Sequence, residues 1–340
     1  MEKKMKKWFG LGGLLLLLTL AGCGEVTKSQ GEAIPEFVLT YAENQAEDYP
    51  TTRGARRFAE LVEKRTGGRI VIQVHPAAQL GDEPSVAEQL RFGGIDLARL
   101  SLSSITDMIP QLYVLQLPYL YTGDEHMRQV LEGDIGQKVV KSVEDHDMIP
   151  LSWYYAGARS FYTTKKPIKT LEDMEGLRIR VQESHMLEDA ISALGATPVP
   201  MAFDEVYSAL EKGICDGAEN NWPSYESMGH YEAAPYFTLS EHARIPELQL
   251  ISAATWEKLS DEDRRIIKGC ARESADYERR LWKEQESQSR KKVCEAGCQV
   301  TELSEAELER FRKAMEPVYK KYCPGQQALI EEIKKLGENP

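Results

Sequence analysis

The sequence reads FVLTY at residues 37–41, RIVIQV at 69–74 and IDLARL at 95–100, three short apolar runs of strand-like composition. A helical pattern, with apolar residues at three- and four-residue spacing, lies between the first two runs and ends at Gly67-Gly68. A second helical pattern, Glu83 to Phe92, separates the second run from the third. Alternating strands and helices with short Gly-containing turns are typical of parallel α/β architecture.

The same alternation resumes past the middle of the chain. Strands are predicted at 149–155, 177–181 and 248–252. A helix start is predicted at Thr170-Leu171-Glu172-Asp173, and a short amphipathic helix runs from Phe203 to Leu210. The central part of the chain is therefore predicted to be α/β as well.

The last hundred residues differ from the rest. A charged helical stretch begins at Ser260 and runs to about Ala296 with one glycine and no proline. Ser304-Glu305-Ala306-Glu307 has the pattern of a capping box and predicts another helix start. We expect these helices to brace the α/β part from outside.

The first residues of the chain resemble an export signal. Four lysines precede an apolar run from Leu11 to Leu20, too short for a stable membrane span. The run ends in Leu20-Ala21-Gly22-Cys23, which predicts a lipoprotein signal over 1–22, with Cys23 acylated (palmitate among the acyl chains) and 23–35 as a flexible tether. The alternative is an ordinary signal peptide with a chance cysteine. The predicted location is extracytoplasmic, anchored to the outer face of the cell membrane.

The charge of the chain limits its partners. It carries 42 basic and 54 acidic residues, a formal net charge of −12, and loss of the lysine-rich leader makes it more negative. Such a surface repels nucleic acid and does not attract anions from a distance. An anionic ligand would therefore have to be captured by local arginines.

Catalytic and metal-binding signatures are missing from the sequence. It has no Gly-x-Ser-x-Gly elbow, no phosphate-binding Gly-rich loop and no His-Glu-x-x-His pair, and its six histidines have no ligand spacing. Five cysteines follow Cys23, an odd number, namely Cys215, Cys270, Cys294, Cys298 and Cys323. Their pairing stays open, with a Cys298–Cys323 bridge as one possibility. We predict no enzyme activity, no metal and no cofactor.

Arginines on strand-like sequence are the most suggestive feature of the chain. In Leu177-Arg178-Ile179-Arg180-Val181 the alternation puts both arginines on one strand face. A guanidinium there suits a ligand carboxylate, which it binds through two parallel hydrogen bonds. The alternative is a pair of solvated arginines at a sheet edge. Arg159, after the turn Ala156-Gly157-Ala158, is a second isolated arginine.

Several motifs in fixed order carry a family resemblance. They are RIRVQES at 178–184, LGATPVPMAF at 194–203, EVYSAL at 205–210, DGAEN at 216–220, QLGD at 79–82 and KPI at 166–168. Together they resemble the solute-binding proteins of TRAP transporters, of the DctP type, from about Phe37 to past Trp256. The lipoprotein-like leader agrees with this resemblance independently.

The resemblance implies a two-domain, periplasmic-binding-protein-like (Venus flytrap) α/β fold with a cleft and long C-terminal bracing helices. The first domain is predicted to comprise 36–156 plus 246–285, and the second 157–245 plus 286–340. The long helix would span both.

The resemblance also implies a binding site. Arg180 corresponds to the arginine that clamps the ligand carboxylate, and the family's second arginine falls on Arg159. Further candidates are Phe203, Asn220, Glu219, Glu83 and Arg99, the last as a third cation or as part of a structural ion pair. Trp222 would stack on the ligand or lie in the core. Ser101 stands where sialate-binding members have a glutamate, which disfavours sialic acid.

The implied function is capture of a small organic acid by domain closure and its delivery to TRAP permease subunits. Acidic and amide acceptors among the candidates favour a polyhydroxylated acid such as a uronate over a C4-dicarboxylate. Two alternatives remain open: a ligand-sensing module for a receptor kinase, and an extracytoplasmic enzyme acting on a small acid.

Overall fold

A computed structural model describes residues 34–338, and the following bounds are taken from it. The strands are β1 (Phe37–Ala42), β2 (Ile70–His75), β3 (Leu97–Ser101), β4 (Met148–Tyr154), β5 (Arg159–Thr163), β6 (Arg178–Val181), β7 (Thr197–Pro200), β8 (Gly217–Asn220), β9 (Tyr236–Ala243), β10 (Glu247–Ser252) and β11 (Gln299–Glu302). The α-helices are α1 (Pro50–Arg65), α2 (Glu83–Arg91), α3 (Asp124–Glu132), α4 (Asp134–Val140), α5 (His185–Ala193), α6 (Val206–Glu211), α7 (Trp222–Ser227), α8 (His230–Ala233), α9 (Ala253–Trp256), α10 (Asp261–Glu295), α11 (Glu305–Ala314), α12 (Glu316–Tyr322) and α13 (Gln327–Leu336).

The strands form two sheets. The first has the order β2-β1-β3-β10-β4, with β2, β1 and β3 parallel and β10 antiparallel to both of its neighbours. The second has the order β11-β9-β5-β8-β6-β7, in which β6 runs parallel to β7 and β8. The parallel alternation predicted from residues 37–100 is confirmed in the first sheet. The antiparallel insertion of β10 required the tertiary structure.

The described residues from Pro35 onward form one compact unit, within which the chain crosses between the sheets three times. The first crossing follows β4 at residues 155–158, the second follows β9 at 244–246, and the third runs through α9 and α10, from β10 in the first sheet to β11 in the second. The predicted domain limits at 156/157 and 245/246 lie at the first two crossings, and the limit at 285/286 lies inside α10, on the third. The division into two domains at these limits stays a prediction.

The long helix α10 has 35 residues, and the Ser260 side chain accepts a hydrogen bond from the backbone N–H of Asp263 at its start. It packs against α1 and β4 on the side of the first sheet and against α7 on the side of the second. Ser304 caps α11 in the same way, through the N–H of Glu307. The helix start predicted at Thr170 is a single 3₁₀ turn, Leu171–Met174, closed by a capping box.

Gly157 lies in the first crossing and has a left-handed backbone, with φ of 60°. A Cβ atom there would lie 2.8 Å from Glu286 Oε1 and 2.9 Å from Trp282 Nε1, both on α10. We expect Gly157→Ala to lower the free energy of unfolding by about 1–3 kcal/mol, because backbone strain adds to this clash. Chemical denaturation would measure the loss.

Gly176→Ala is the matched control, because Gly176 has a φ of 74° but nothing within 4 Å of an added Cβ. Equal losses in the two variants would mean that the contact with α10 contributes nothing.

The predicted leader, Cys23 and most of the predicted tether lie outside the described residues. Across residues 34–338, no helix is long and apolar enough to cross a membrane. The same stretch has no cluster of side chains suited to a metal ion. All five cysteines in it are free, so the Cys298–Cys323 bridge does not form.

Candidate binding cleft

Two adjoining cavities lie where strands of both sheets end. They span about 460 and 380 Å³, including space that is open to solvent, and share the lining residues Asn44, Glu83, Arg180, Gln182 and Phe203. Crevices at the carboxyl ends of parallel strands are the usual ligand sites of open α/β sheets. We treat the two cavities as one cleft.

Arg180 on β6 is 1% exposed and lines both cavities. Its Nε and Nη2 donate to the carbonyl oxygen of Met201, at 3.2 and 2.7 Å, which fixes the plane of the guanidinium. Its buried Nη1 has no hydrogen-bond partner, and no carboxylate in the described part of the chain pairs with it. Burial lowers the pKa of Arg180, as desolvation opposes the charged form. The cleft therefore contains an oriented cation with no direct ion-pair partner among the described residues.

The neighbouring arginine on β6 has different surroundings. Arg178 is exposed and pairs with Asp216, with 2.9 Å between its Nε and Oδ2. Between the two arginines, Ile179 is fully buried on the opposite face of the strand. Only Arg180 of the two predicted arginines therefore reaches the cleft, and the burial along β6 does not alternate, since Ile179, Arg180 and Val181 are all buried.

Arg159 on β5 lines the second cavity, and its charge is paired with that of Glu219. Its Nη2 is 2.8 Å from Glu219 Oε1, and its Nη1 donates to Asn220 Oδ1 at 3.0 Å. Burial raises the pKa of Glu219, but the adjacent Arg159 outweighs it and lowers that pKa to about 2. Glu219 faces Arg159 and is not among the lining residues, whereas Asn220 lines the second cavity.

Arg99 on β3 forms structural ion pairs, which is one of the two roles that the sequence left open for it. Its Nη1 donates to Glu83 and to Glu247, each at 2.7 Å, and its remaining N–H groups contact Glu43 and Asn44. Burial raises the pKa of Glu83, and it raises that of Glu247 to about 7. Arg99 lines the second cavity but has no donor left for a ligand.

The remaining candidates also divide into residues that line the cleft and a residue that does not. Glu83 and Phe203 line both cavities. Trp222 lines neither of them, and its ring stacks on Phe237 with 3.7 Å between centroids. Of the two alternatives that the sequence left open for Trp222, the structure favours the one in the core, because Phe237 already covers a face of its ring.

Sequence reasoning missed several lining residues, namely Asn44, Gln45, Tyr49, Gln182, Asn221, Ser224, Glu247 and Trp282. Gln182 directly follows a predicted strand, and Asn44 and Gln45 lie within four residues of the end of another, a position that could have identified them. Tyr49 follows β1 of the first sheet and contacts Ser224 on α7, which follows β8 of the second sheet. The two hydroxyl oxygens are 2.8 Å apart. Nothing local in the sequence indicates that pairing.

The cleft lies between the two sheets of an α/β fold and contains one unpaired guanidinium among amide and carboxylate groups. These features define a binding protein for a small organic anion. The described residues match, over 41–325, the family model for "Bacterial extracellular solute-binding protein, family 7", or DctP. The chain belongs to this family.

Three similar proteins illustrate the match. A TRAP periplasmic solute-binding protein from Roseobacter denitrificans, solved with bound β-D-glucuronate, is 40% identical, covering 87% of this chain and 99% of its own, with a TM-score of 0.85. One from Xanthobacter autotrophicus, solved with β-D-galacturonate, is 38% identical with the same coverage and a TM-score of 0.84. A solute-binding protein of Chromohalobacter salexigens is 34% identical over 93% of this chain and 97% of its own.

The predicted fold class is confirmed by these matches and by the presence of α10. The protein is the extracytoplasmic solute-binding component of a TRAP-type transporter, as its sequence motifs predicted.

Proposed function

We propose that this protein captures a hexuronate, or a closely similar sugar acid, and that Arg180 binds its carboxylate. The observation that carries the proposal is the unpartnered Nη1 of a guanidinium that is 1% exposed. A buried charge without a partner is costly, and an arriving carboxylate would relieve that cost through charge-assisted hydrogen bonds.

The other lining groups favour a polyhydroxylated ligand. Asn44, Glu83, Gln182 and Asn220 offer carboxylate and amide groups around the cleft. Sugar hydroxyls donate to such carboxylates and exchange hydrogen bonds with such amides. The uronates bound by the two solved relatives have this combination of one carboxylate and several hydroxyls.

The proposal includes a lipid anchor at Cys23 and release of the ligand, chemically unchanged, to the permease. The anchor follows from the sequence Leu20-Ala21-Gly22-Cys23 after a basic and apolar leader. Release without chemistry is supported by the solute-binding role of the relatives.

Ligand-induced thermal stabilisation tests the proposal. We expect D-glucuronate or D-galacturonate to raise the melting temperature more than succinate or an aldonate at equal concentration. A ligand at 100 times its dissociation constant adds about 2.7 kcal/mol of stability, which such a scan detects. Calorimetry would then give the affinity, and NMR of the released ligand would check that it is unchanged.

Stabilisation by succinate but by neither uronate would contradict the proposed ligand class. Conversion of a bound acid into a product would contradict the binding role.

A further inference from the structure

The wall of the cleft around Arg99 carries more negative than positive groups. Glu43, Glu83 and Glu247 all contact this one guanidinium, and we call the three together the acidic wall. Glu83 and Glu247 line the cleft directly, whereas Glu43 is not among its lining residues. They come from the end of β1, the start of α2 and the start of β10, and each is less than a tenth exposed. Three carboxylates thus face one arginine in a site largely closed to water.

Arg99 has no hydrogen-bonding capacity left for a ligand. Its Nη1 is shared between Glu83 and Glu247, its Nε donates to Glu43 at 3.1 Å, and its Nη2 contacts Glu43 and Asn44. A ligand carboxylate near Arg99 would therefore meet the oxygens of the acidic wall without a free donor to compensate them.

Arg159 cannot supply a second anion site either. Its Nε and Nη2 are both committed to Glu219, at 2.5 and 2.8 Å, so its charge is matched. Among the cleft arginines of the described chain, Arg180 alone combines an unpartnered nitrogen with the absence of an ion pair. The cleft thus offers one place for a carboxylate.

We infer that the acidic wall is a specificity device, which restricts the ligand to a single carboxylate and excludes dicarboxylates of the same length. This inference rests on the proposed function and refines its substrate class. A hydroxyl facing the wall donates a hydrogen bond to it, whereas a carboxylate there is repelled by like charge. Specificity of this kind comes from a repulsive element in the same cleft as the attractive Arg180.

Acidification should weaken the exclusion of dicarboxylates from the cleft. The charged groups facing Glu247 are Arg99 on β3, Glu43 after β1, Glu83 on α2, Glu278 on α10 and Arg159 on β5, with the Tyr49 hydroxyl nearby. Burial raises the pKa of Glu247 to about 7, so below neutral pH this carboxyl takes up a proton. The wall then loses one negative charge, and a dicarboxylate is repelled less.

The test compares three six-carbon acids by calorimetry: D-galacturonate, galactonate and galactarate. Galactonate and galactarate are both open chains, and they differ in whether the far end is a hydroxymethyl group or a second carboxylate. At pH 8 we expect galactarate to bind at least about 100-fold more weakly than galacturonate and clearly more weakly than galactonate. At pH 6 the disadvantage of galactarate should shrink about tenfold.

Glu247→Gln should produce the same relaxation at pH 8, improving galactarate relative to galacturonate about tenfold. Glu88→Gln is the control, because it removes the same charge from the exposed face of α2, outside the cleft. If Glu247→Gln fails to fold, the pH series on the wild-type protein carries the test alone.

Three results would overturn the inference: equal affinity for galactarate and galacturonate at pH 8, galactonate as weak as galactarate, or a preference that neither pH 6 nor Glu247→Gln reduces. Failure of galacturonate itself to bind would instead count against the proposed function.

Discussion

Arg180→Ala abolishes ligand binding while leaving the protein folded: this is the largest functional effect we expect. In the proposed binding mode the guanidinium supplies charge-assisted hydrogen bonds to the ligand carboxylate, each worth about 1.5–3 kcal/mol. Loss of two such bonds weakens binding by at least about 100-fold. Calorimetry with the best ligand from the thermal scan measures this loss.

The unliganded variant should be about as stable as the wild type, because the substitution removes a buried cation that has no ion-pair partner in the described structure. Arg178→Ala is the matched control, being the same substitution two residues away at an exposed position. It should keep the wild-type affinity within about twofold. Retained affinity in Arg180→Ala, or equal losses in both variants, would remove the clamp from the binding mechanism.

Glu219→Ala gives the largest expected effect on stability. The substitution leaves Arg159 as a buried charge whose carboxylate partner, 2.8 Å away, is gone. Breaking a buried ion pair from one side costs about 3–5 kcal/mol, because the remaining charge stays desolvated. Urea denaturation of the unliganded protein measures this loss.

Glu47→Ala is the matched control for this loss. Glu47 and Arg56 form a two-bond pair of the same geometry, at 2.7 and 2.8 Å, but on the surface. An exposed pair contributes at most about 1 kcal/mol, since water solvates either partner when it is left alone. If the two alanine variants lose similar stability, the burial of the Arg159–Glu219 pair has no energetic weight.

Much of the fold could be predicted from sequence, because it depends on local patterns. The strand and helix alternation over residues 37–100 and the long helix from Ser260 follow from apolar spacing and from capping residues. The antiparallel position of β10 could not be predicted in this way. It depends on which strands lie side by side after the chain has crossed between the sheets.

Only part of the candidate site could be predicted from the sequence, because the partners of its arginines are distant in the chain. The motif around Arg180 predicted which side chain would bind a carboxylate, but all the arginines looked equivalent as residue types. The structure separates them by their partners: Arg159 is matched by Glu219, and Arg99 is surrounded by the acidic wall. Those partners are far away in the chain, so no local pattern could reveal them.

The sequence by itself determined the family, the alternation of strands and helices over residues 37–100 and the start of the long helix at Ser260, and it predicted the arginine on which binding depends, since each of these resides in short-range patterns and motifs. Only the tertiary structure decided which cations are already neutralised, which aromatic ring is covered and which oxygens face the cleft. The physical reason is that a charge is available to a ligand only when no distant part of the same chain has paired with it.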